Sequence, residues 1–178
     1  MTLDGVIDLD DGWFAPPGVD GGADTTDLEE TLREHMAMQG ALLLGRLRFE
    51  AFRAYWPKQT DDATGITAHL NQVQKYVVSS TLEDPQWENT VVIRGDLVDE
   101  TRALKEEEGG ELVVGGSISV VWKLISAGLV DEYRVFVHPT VVGHGRRLFE
   151  GSAPRPKLEL MESRSFRAGI VLMTYRVV

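Results

Sequence analysis

Short apolar runs alternate with segments of helical period along most of the chain. Leu28, Leu32 and Met36 recur every four residues, which puts them on one face of a helix. Thr26 with Glu29 three places on has the form of a capping box, and Gly40 stands where that helix would end. Ala41-Leu42-Leu43-Leu44, closed by Gly45, reads as a buried strand. Phe49, Phe52 and Tyr55 suit a second helix that stops near Pro57, and residues 62–74 carry a weaker helical pattern. Further strands are predicted at 76–78, 90–93 and 111–114, with a polar helix over 97–108. Ser117 is placed to cap a helix running through Ala127 to a stop at Gly128. From Glu132 the period falls to two. Tyr133, Val135 and Val137 alternate, and residues 157–166 and 170–178 read as a hairpin around Ala168-Gly169. The pattern predicts an α/β fold: a mixed, mostly parallel central sheet flanked by helices, with antiparallel C-terminal strands. Residues 5–24, rich in Gly, Asp and Pro and without periodicity, are predicted to be a long loop of the kind that often carries function.

Composition narrows the possibilities. A chain of 178 residues with 43% hydrophobic content is predicted to fold as a single domain over 1–178, with a core that needs no staples. The absence of cysteine removes disulfides, thiolate nucleophiles and cysteine-based metal sites. The four His residues lack ligand spacing, so no metal site is expected; His138 and His144 read as structural or surface groups. A net charge of −10 argues against nucleic acid or an anionic membrane as partner. No apolar run approaches the ~18 residues of a membrane span. The first residues, Met1-Thr2-Leu3-Asp4-Gly5, carry no basic or apolar leader, so a cytoplasmic location is expected.

Three predicted strand ends share a chemistry: Leu44-Gly45-Arg46, Val78-Ser79-Ser80 and Val114-Gly115-Gly116-Ser117. In a parallel sheet such ends lie on one edge, where open α/β sheets bind ligands. Gly115 and Gly116 allow close backbone approach to a phosphate, and the helix after them aims N–H groups at it. Ser79, Ser80 and Thr81 supply hydroxyls. Arg46, with Arg48 nearby, can grip phosphate bidentately. Taken singly, the Gly-Gly-Ser and Ser-Ser-Thr segments fit plain turns equally well; three in order are more specific.

The sequence resembles the dihydrofolate reductase-like superfamily and, within it, the riboflavin-biosynthesis reductase (RibD C-terminal domain) subgroup. The residues that carry the resemblance are Thr2-Leu3-Asp4-Gly5-Val6-Ile7, Leu43-Leu44-Gly45-Arg46 with Phe49-Glu50 and Tyr55-Trp56-Pro57, Lys75 to Leu82, Leu112 to Ser117, Gly128 to Tyr133 and Gly143 to Phe149. They span nearly the whole chain.

The resemblance implies an enzyme that uses NADPH to reduce a C=N or C=O bond of a small pyrimidine- or pterin-like heterocycle, a ribosylamino-pyrimidine phosphate included. It implies cofactor phosphate at Gly45 and Arg46, the adenosine 2′-phosphate side at Ser79 and Ser80, and pyrophosphate over Gly115, Gly116 and Ser117. It nominates Asp4 beside nicotinamide and substrate, and Asp27, at the start of the first long helix, as a second acid. Asp27 also fits a helix-dipole residue and Asp4 a turn residue. Arg146, with Arg147 beside it, is a candidate for a substrate phosphate, although a solvated basic turn explains the pair better. Relatives usually carry a full strand before the Leu-Asp-Gly segment, so either the start at Met1 is misassigned or truncated, or the sheet lacks part of a central strand, which would leave neighbouring backbone groups open. Trp13-Phe14 matches the Trp-bearing loop of folate reductases only loosely, which argues against folate as substrate. A binding protein on the same fold, holding a nucleotide or small molecule without turnover, is the alternative. The alternating C-terminal strands offer a surface for a homodimer.

Overall fold

The computed structural model describes residues 1–9, 12–14, 23–150 and 155–178. Part of the loop expected over 5–24, at residues 10, 11 and 15–22, lies outside them. The chain forms two compact units, Met1–Thr31 with Leu124–Val178, and Leu32–Lys123.

The unit Leu32–Lys123 holds a four-stranded, all-parallel sheet. Its strands are β1 (Gln39–Gly45), β2 (Gln74–Val78), β3 (Thr90–Ile93) and β4 (Glu111–Val114), in the order β3-β2-β1-β4. The connections carry α2 (Arg46–Tyr55) with a 3-10 turn at Trp56–Lys58, α3 (Ile66–Gln72) and α4 (Leu97–Glu106). Helices α1 (Thr26–Met38) and α5 (Ile118–Ser126) each run across a boundary between the two units. Leu42, Leu44, Phe49, Leu70, Val73, Val77 and Leu82 form the core, with Phe52, Trp56, Ile66, Trp87, Val92 and Val113 packed around them. Alternate β2 residues, Lys75 and Val77, are wholly buried on one face. Asp96 caps α4, its carboxylate accepting from the N–H groups of Val98 and Asp99.

In the other unit, β5 (Glu132–Val137), β6 (Leu158–Ser165) and β7 (Val171–Val177) form an antiparallel sheet in the order β5-β7-β6. The strand directions agree with the sequence reading. The hydrogen bonding nevertheless divides them into two sheets rather than one mixed sheet. The N-terminal segment pairs with β5, its extension and the loop beyond: the Met1 ammonium donates to Phe136 O (2.7 Å), His138 N–H to Met1 O (2.8 Å), Leu3 N–H to Thr140 O (2.8 Å) and Ile7 N–H to Arg146 O (2.9 Å). Among the described residues β4 is paired only with β1.

Two local readings shift. The start of α1 is organised one to two residues earlier than the capping box at Thr26: Asp24 accepts from Thr26 N–H (3.1 Å), and the Thr25 hydroxyl donates to Glu29 (2.8 Å). Gly40 does not end α1, which stops at Met38; it lies inside β1. A Cβ on Gly40 would stand 2.6 Å from Gly110 N, so two backbones touch where β1 and β4 begin to pair.

Lys75 is the one cation in the core of this unit. Its ammonium donates to Leu70 O (2.7 Å) and Val73 O (2.8 Å), capping the carbonyl end of α3, and it lies 4.8 Å from the Trp87 ring centroid. Burial pushes its pKa down to about 8.

Two tests follow from this packing. Gly40→Ala is expected to cost ~1–3 kcal/mol in urea unfolding, because the obstructing atoms are backbone and no rotamer change relieves them. Lys75 sets a pH dependence. Between pH of about 8 and ~10.5 the unfolded chain keeps a proton that the folded chain has released, so stability rises with pH there. A gain on the order of 1–3 kcal/mol is expected across that window and is lost in Lys75→Met. Equal pH slopes for the two proteins would exclude Lys75 as the source.

Candidate active site

The parallel register builds one edge of the four-stranded sheet. Gly45 pairs with Val78, and Val78 with Ile93. The residues that follow, Arg46, Ser79 and Arg94, therefore leave the three strands at one level. Adjacent strands are ~4.8 Å apart, so two cationic residues flank the serine turn on either side. On the other side of β1, Leu43 pairs with Val114, which brings Gly45 level with the Gly-Gly-Ser turn. Gly45 N–H donates to Ser117 Oγ at 2.8 Å and ties the two turns together.

Each predicted residue has a definite place on this edge. Arg46 is exposed, and its guanidinium sits 3.1 Å from both carboxylate oxygens of Glu50 one helical turn on. Such an exposed i,i+4 pair is worth only ~0.3–0.5 kcal/mol, so a ligand phosphate can draw the arginine away. Arg48 is partly buried. Its Nε donates to Gly116 O (3.2 Å), and its guanidinium carbon lies 5.4 Å from the Phe52 ring centroid. Ser79 is buried, its Oγ accepting from Thr81 N–H (3.2 Å) and Leu82 N–H (3.0 Å), so that hydroxyl shapes the turn. Ser80 and Thr81 are exposed. Gly116 has φ +75°, which suits glycine, and Gly115 has open space where a Cβ would stand.

Arg94 is the residue that the three-strand reading omitted. It donates to Ser80 O (3.2 Å) and Leu82 O (2.8 Å) and so braces the serine turn from the neighbouring strand. The signal was present: Arg94 directly follows a predicted strand, a fourth end on the same edge. Only the strand order shows that β3 lies beside β2.

The other unit holds the remaining candidates. Asp4 accepts from the Thr2 hydroxyl (2.7 Å), Gly143 N–H (2.8 Å) and Val142 N–H (3.3 Å). These bonds, the Thr2 hydroxyl first, hold its pKa down at about 2 against a smaller opposing effect of desolvation. Asp4 is thus an ionised acceptor that ties the N-terminal turn to the 142–143 loop. Arg146 makes a bidentate pair with Asp8 (2.7 and 2.9 Å), and Arg147 Nε donates to Asp4 O (3.0 Å). Asp27 accepts from Leu28 N–H (3.0 Å) and Arg167 N–H (3.1 Å), joining the start of α1 to the β6–β7 turn. The structure brings Asp4 and Arg147 together. Asp27 has other partners, the 166–170 turn and its own helix. Trp13, Phe14 and His138 meet edge to face, with ring centroids 5.4 to 5.9 Å apart. Burial lowers the pKa of His138.

Comparison with known proteins identifies the fold. The structure covers 100% of this chain and 95% of that of a putative riboflavin biosynthesis protein from Shewanella sp. PV-4, at TM-score 0.71 and 20% identity. It matches a diaminohydroxyphosphoribosylaminopyrimidine deaminase/5-amino-6-(5-phosphoribosylamino)uracil reductase from Thermotoga maritima over 99% of this chain and 54% of that one, at TM-score 0.63 and 17% identity. Dihydrofolate reductase from Enterococcus faecalis, complexed with NADP(H) and RAB-propyl, shares the fold over 85% of this chain and 80% of its own, at TM-score 0.53 and 20% identity. The family model of the RibD C-terminal domain matches residues 1–172. With a dihydrofolate reductase-like fold and a family match over nearly its whole length, this chain belongs to the RibD C-terminal domain family.

Proposed function

We propose that this protein is a cytoplasmic, NADPH-dependent reductase that delivers hydride to a C=N or C=O bond of a small pyrimidine- or pterin-like heterocycle, a ribosylamino-pyrimidine phosphate included. The observation that carries this reading is the row Arg46, Ser79 and Arg94 at one level, beside a tied Gly115-Gly116-Ser117 turn that opens α5. The donor set fits a dinucleotide phosphate. Two guanidinium groups suit a ribose 2′-phosphate, Ser80 and Thr81 add exposed hydroxyls, and a glycine turn before a nine-residue helix suits a pyrophosphate. Family membership supports the reading, as do the NADP(H) held by the Enterococcus faecalis enzyme and the uracil reductase named for the Thermotoga maritima protein.

When bound, a reduced nicotinamide supplies the hydride. The chain contributes binding and electrostatics. Arg46 exchanges Glu50 for phosphate. Arg94 keeps the serine turn in register with it. Asp4, ionised at neutral pH, accepts from a ring N–H or an exocyclic amine of the heterocycle and thereby orients it. A carboxyl with a pKa of about 2 holds almost no proton near pH 7, so Asp4 does not itself supply the proton that completes the reduction.

The competing reading is cofactor binding without turnover. It draws on Asp4 and Asp27, whose carboxylates are both engaged by backbone N–H groups, and on Arg146, which is paired with Asp8. NADPH-dependent turnover of any compound in a panel of pyrimidine sugars, pterins and flavins would exclude it.

We further propose a homodimer through one face of the antiparallel sheet. Leu158, Leu160, Val135, Met173 and Tyr175 share that face by register, and Leu158 and Leu160 are 40% and 53% exposed. Val135, Met173 and Tyr175 are half-buried beside them; partly exposed apolar surface suits an interaction site, and twofold pairing of a self-complementary patch is the commonest closed assembly.

The cofactor reading is tested by titrating NADPH and NADH. NADPH is expected to bind more tightly, and Arg46→Ala to weaken NADPH about tenfold while leaving NADH unchanged, the loss typical of a charge-assisted hydrogen bond. Equal losses would remove Arg46 from the 2′-phosphate, and no saturable binding of either cofactor would overturn the function. Light scattering is expected to report a dimer that Leu160→Lys converts to monomer. A monomeric wild type at working concentration would reject the interface.

A further inference from the structure

Arg48 stands in the first turn of α2, beside Arg46, yet its side chain is committed differently. Arg46 is exposed and paired with a neighbour on its own helix. Arg48 turns inward, lies over Phe52, and donates its Nε to Gly116 O across 68 residues of sequence. The contact is close. A Cβ on Gly116 would fall 2.7 Å from Arg48 Nε, so the guanidinium rests directly against this glycine.

Peptide planarity gives the contact its consequence. In a trans peptide the carbonyl of one residue and the N–H of the next point in opposite directions. Holding Gly116 O toward Arg48 therefore turns Ser117 N–H the other way. That N–H belongs to the residue opening α5 and has no backbone acceptor among the described residues. The Ser117 side chain is held as well, since its Oγ accepts from Gly45 N–H. The turn is thus held at two points from the β1–α2 junction, the Gly116 carbonyl by a guanidinium and the Ser117 side-chain oxygen by a backbone amide.

We propose that Arg48 is a positioning residue: by holding the Gly116 carbonyl it aims the Ser117 N–H at the pyrophosphate, and it is not itself a phosphate ligand. This rests on the cofactor reading above. Pyrophosphate is common to NADPH and NADH, so Arg48 acts on both cofactors alike, whereas Arg46 distinguishes them.

The test compares Arg48→Met, which keeps the apolar stem and removes the donor, with Arg48→Lys, which restores a donor. Three readouts are taken: affinity for NADPH and for NADH, the salt dependence of binding, and amide exchange at Gly45 in the free protein. Arg48→Met is expected to weaken both cofactors equally, by about five- to tenfold for one lost hydrogen bond to a charged group. The salt dependence should stay as in wild type, since no ligand charge pair is lost. Exchange at Gly45 should speed up, because Ser117 is released, and Arg48→Lys should recover part of each effect. A loss confined to NADPH with a shallower salt dependence would make Arg48 a phosphate ligand and overturn the proposal. Unchanged affinity for both cofactors, or unchanged exchange at Gly45, would overturn it too. If wild type binds neither cofactor while Gly45 exchange still quickens in Arg48→Met, the cofactor reading falls and the hold of Arg48 on the turn stands by itself.

Discussion

The close approach of Gly40 and Gly110 is the contact on which the candidate cofactor edge depends. Two strands that must pair in parallel begin with their backbones almost touching, and only hydrogen atoms fit between the two Cα positions. The β1–β4 ladder shifts register at this point, between Gln39 and Ala41, and then runs regularly to Leu43 and Val114. Because each residue advances the same distance in both strands, a register set at one end is delivered to the other. There it brings Gly45 beside Ser117 and allows their hydrogen bond. A slip of one residue would turn Leu42 and Leu44 out of the core and part the two turns.

The edge reconciles an acidic protein with the anionic ligand proposed for it. A net charge of −10 disfavours polyanions at a distance, but interactions in physiological salt decay over ~8 Å. Within that range a phosphate of the proposed cofactor would meet Arg46 and Arg94 on flanking strands and the N–H end of α5. The loose pairing of Arg46 with Glu50 keeps the guanidinium extended in the free protein at little energetic cost. The bonds from Arg94 and Arg48 to turn carbonyls are of another kind: they fix backbone, so that little ordering remains for the moment of binding.

In the other unit, carboxylates do the work of loop closure. Asp4 gathers the N-terminal turn and the 142–143 loop, Asp8 holds Arg146, and Asp27 holds the β6–β7 turn. The Thr2 hydroxyl and then backbone donors at Asp4 keep the charge in place and the proton off. Ionisation of this kind suits the proposed orientation of a heterocycle and not its protonation.

The order of elements, the direction of the strands and the three glycine- or serine-bearing strand ends were legible in the sequence, because period and turn chemistry are local properties. The resemblance in those motifs pointed to the family that the whole-chain match established. Residues 90–93 and 111–114 were placed to the residue, since each is an apolar run bounded by turn signals. Tertiary structure decided the rest. The order β3-β2-β1-β4 brought Arg94 to the edge, and a hydrogen bond spanning 68 residues distinguished Arg48 from Arg46, two arginines of identical type in the same helical turn. Whether Asp4 is free or engaged depended on a loop 138 residues away. Gly40, which reads as a helix stop, became a strand residue because Gly110 meets it. Periodicity and propensity act over a few residues, whereas the partner of a polar group is set by register and chain closure, which no local pattern carries.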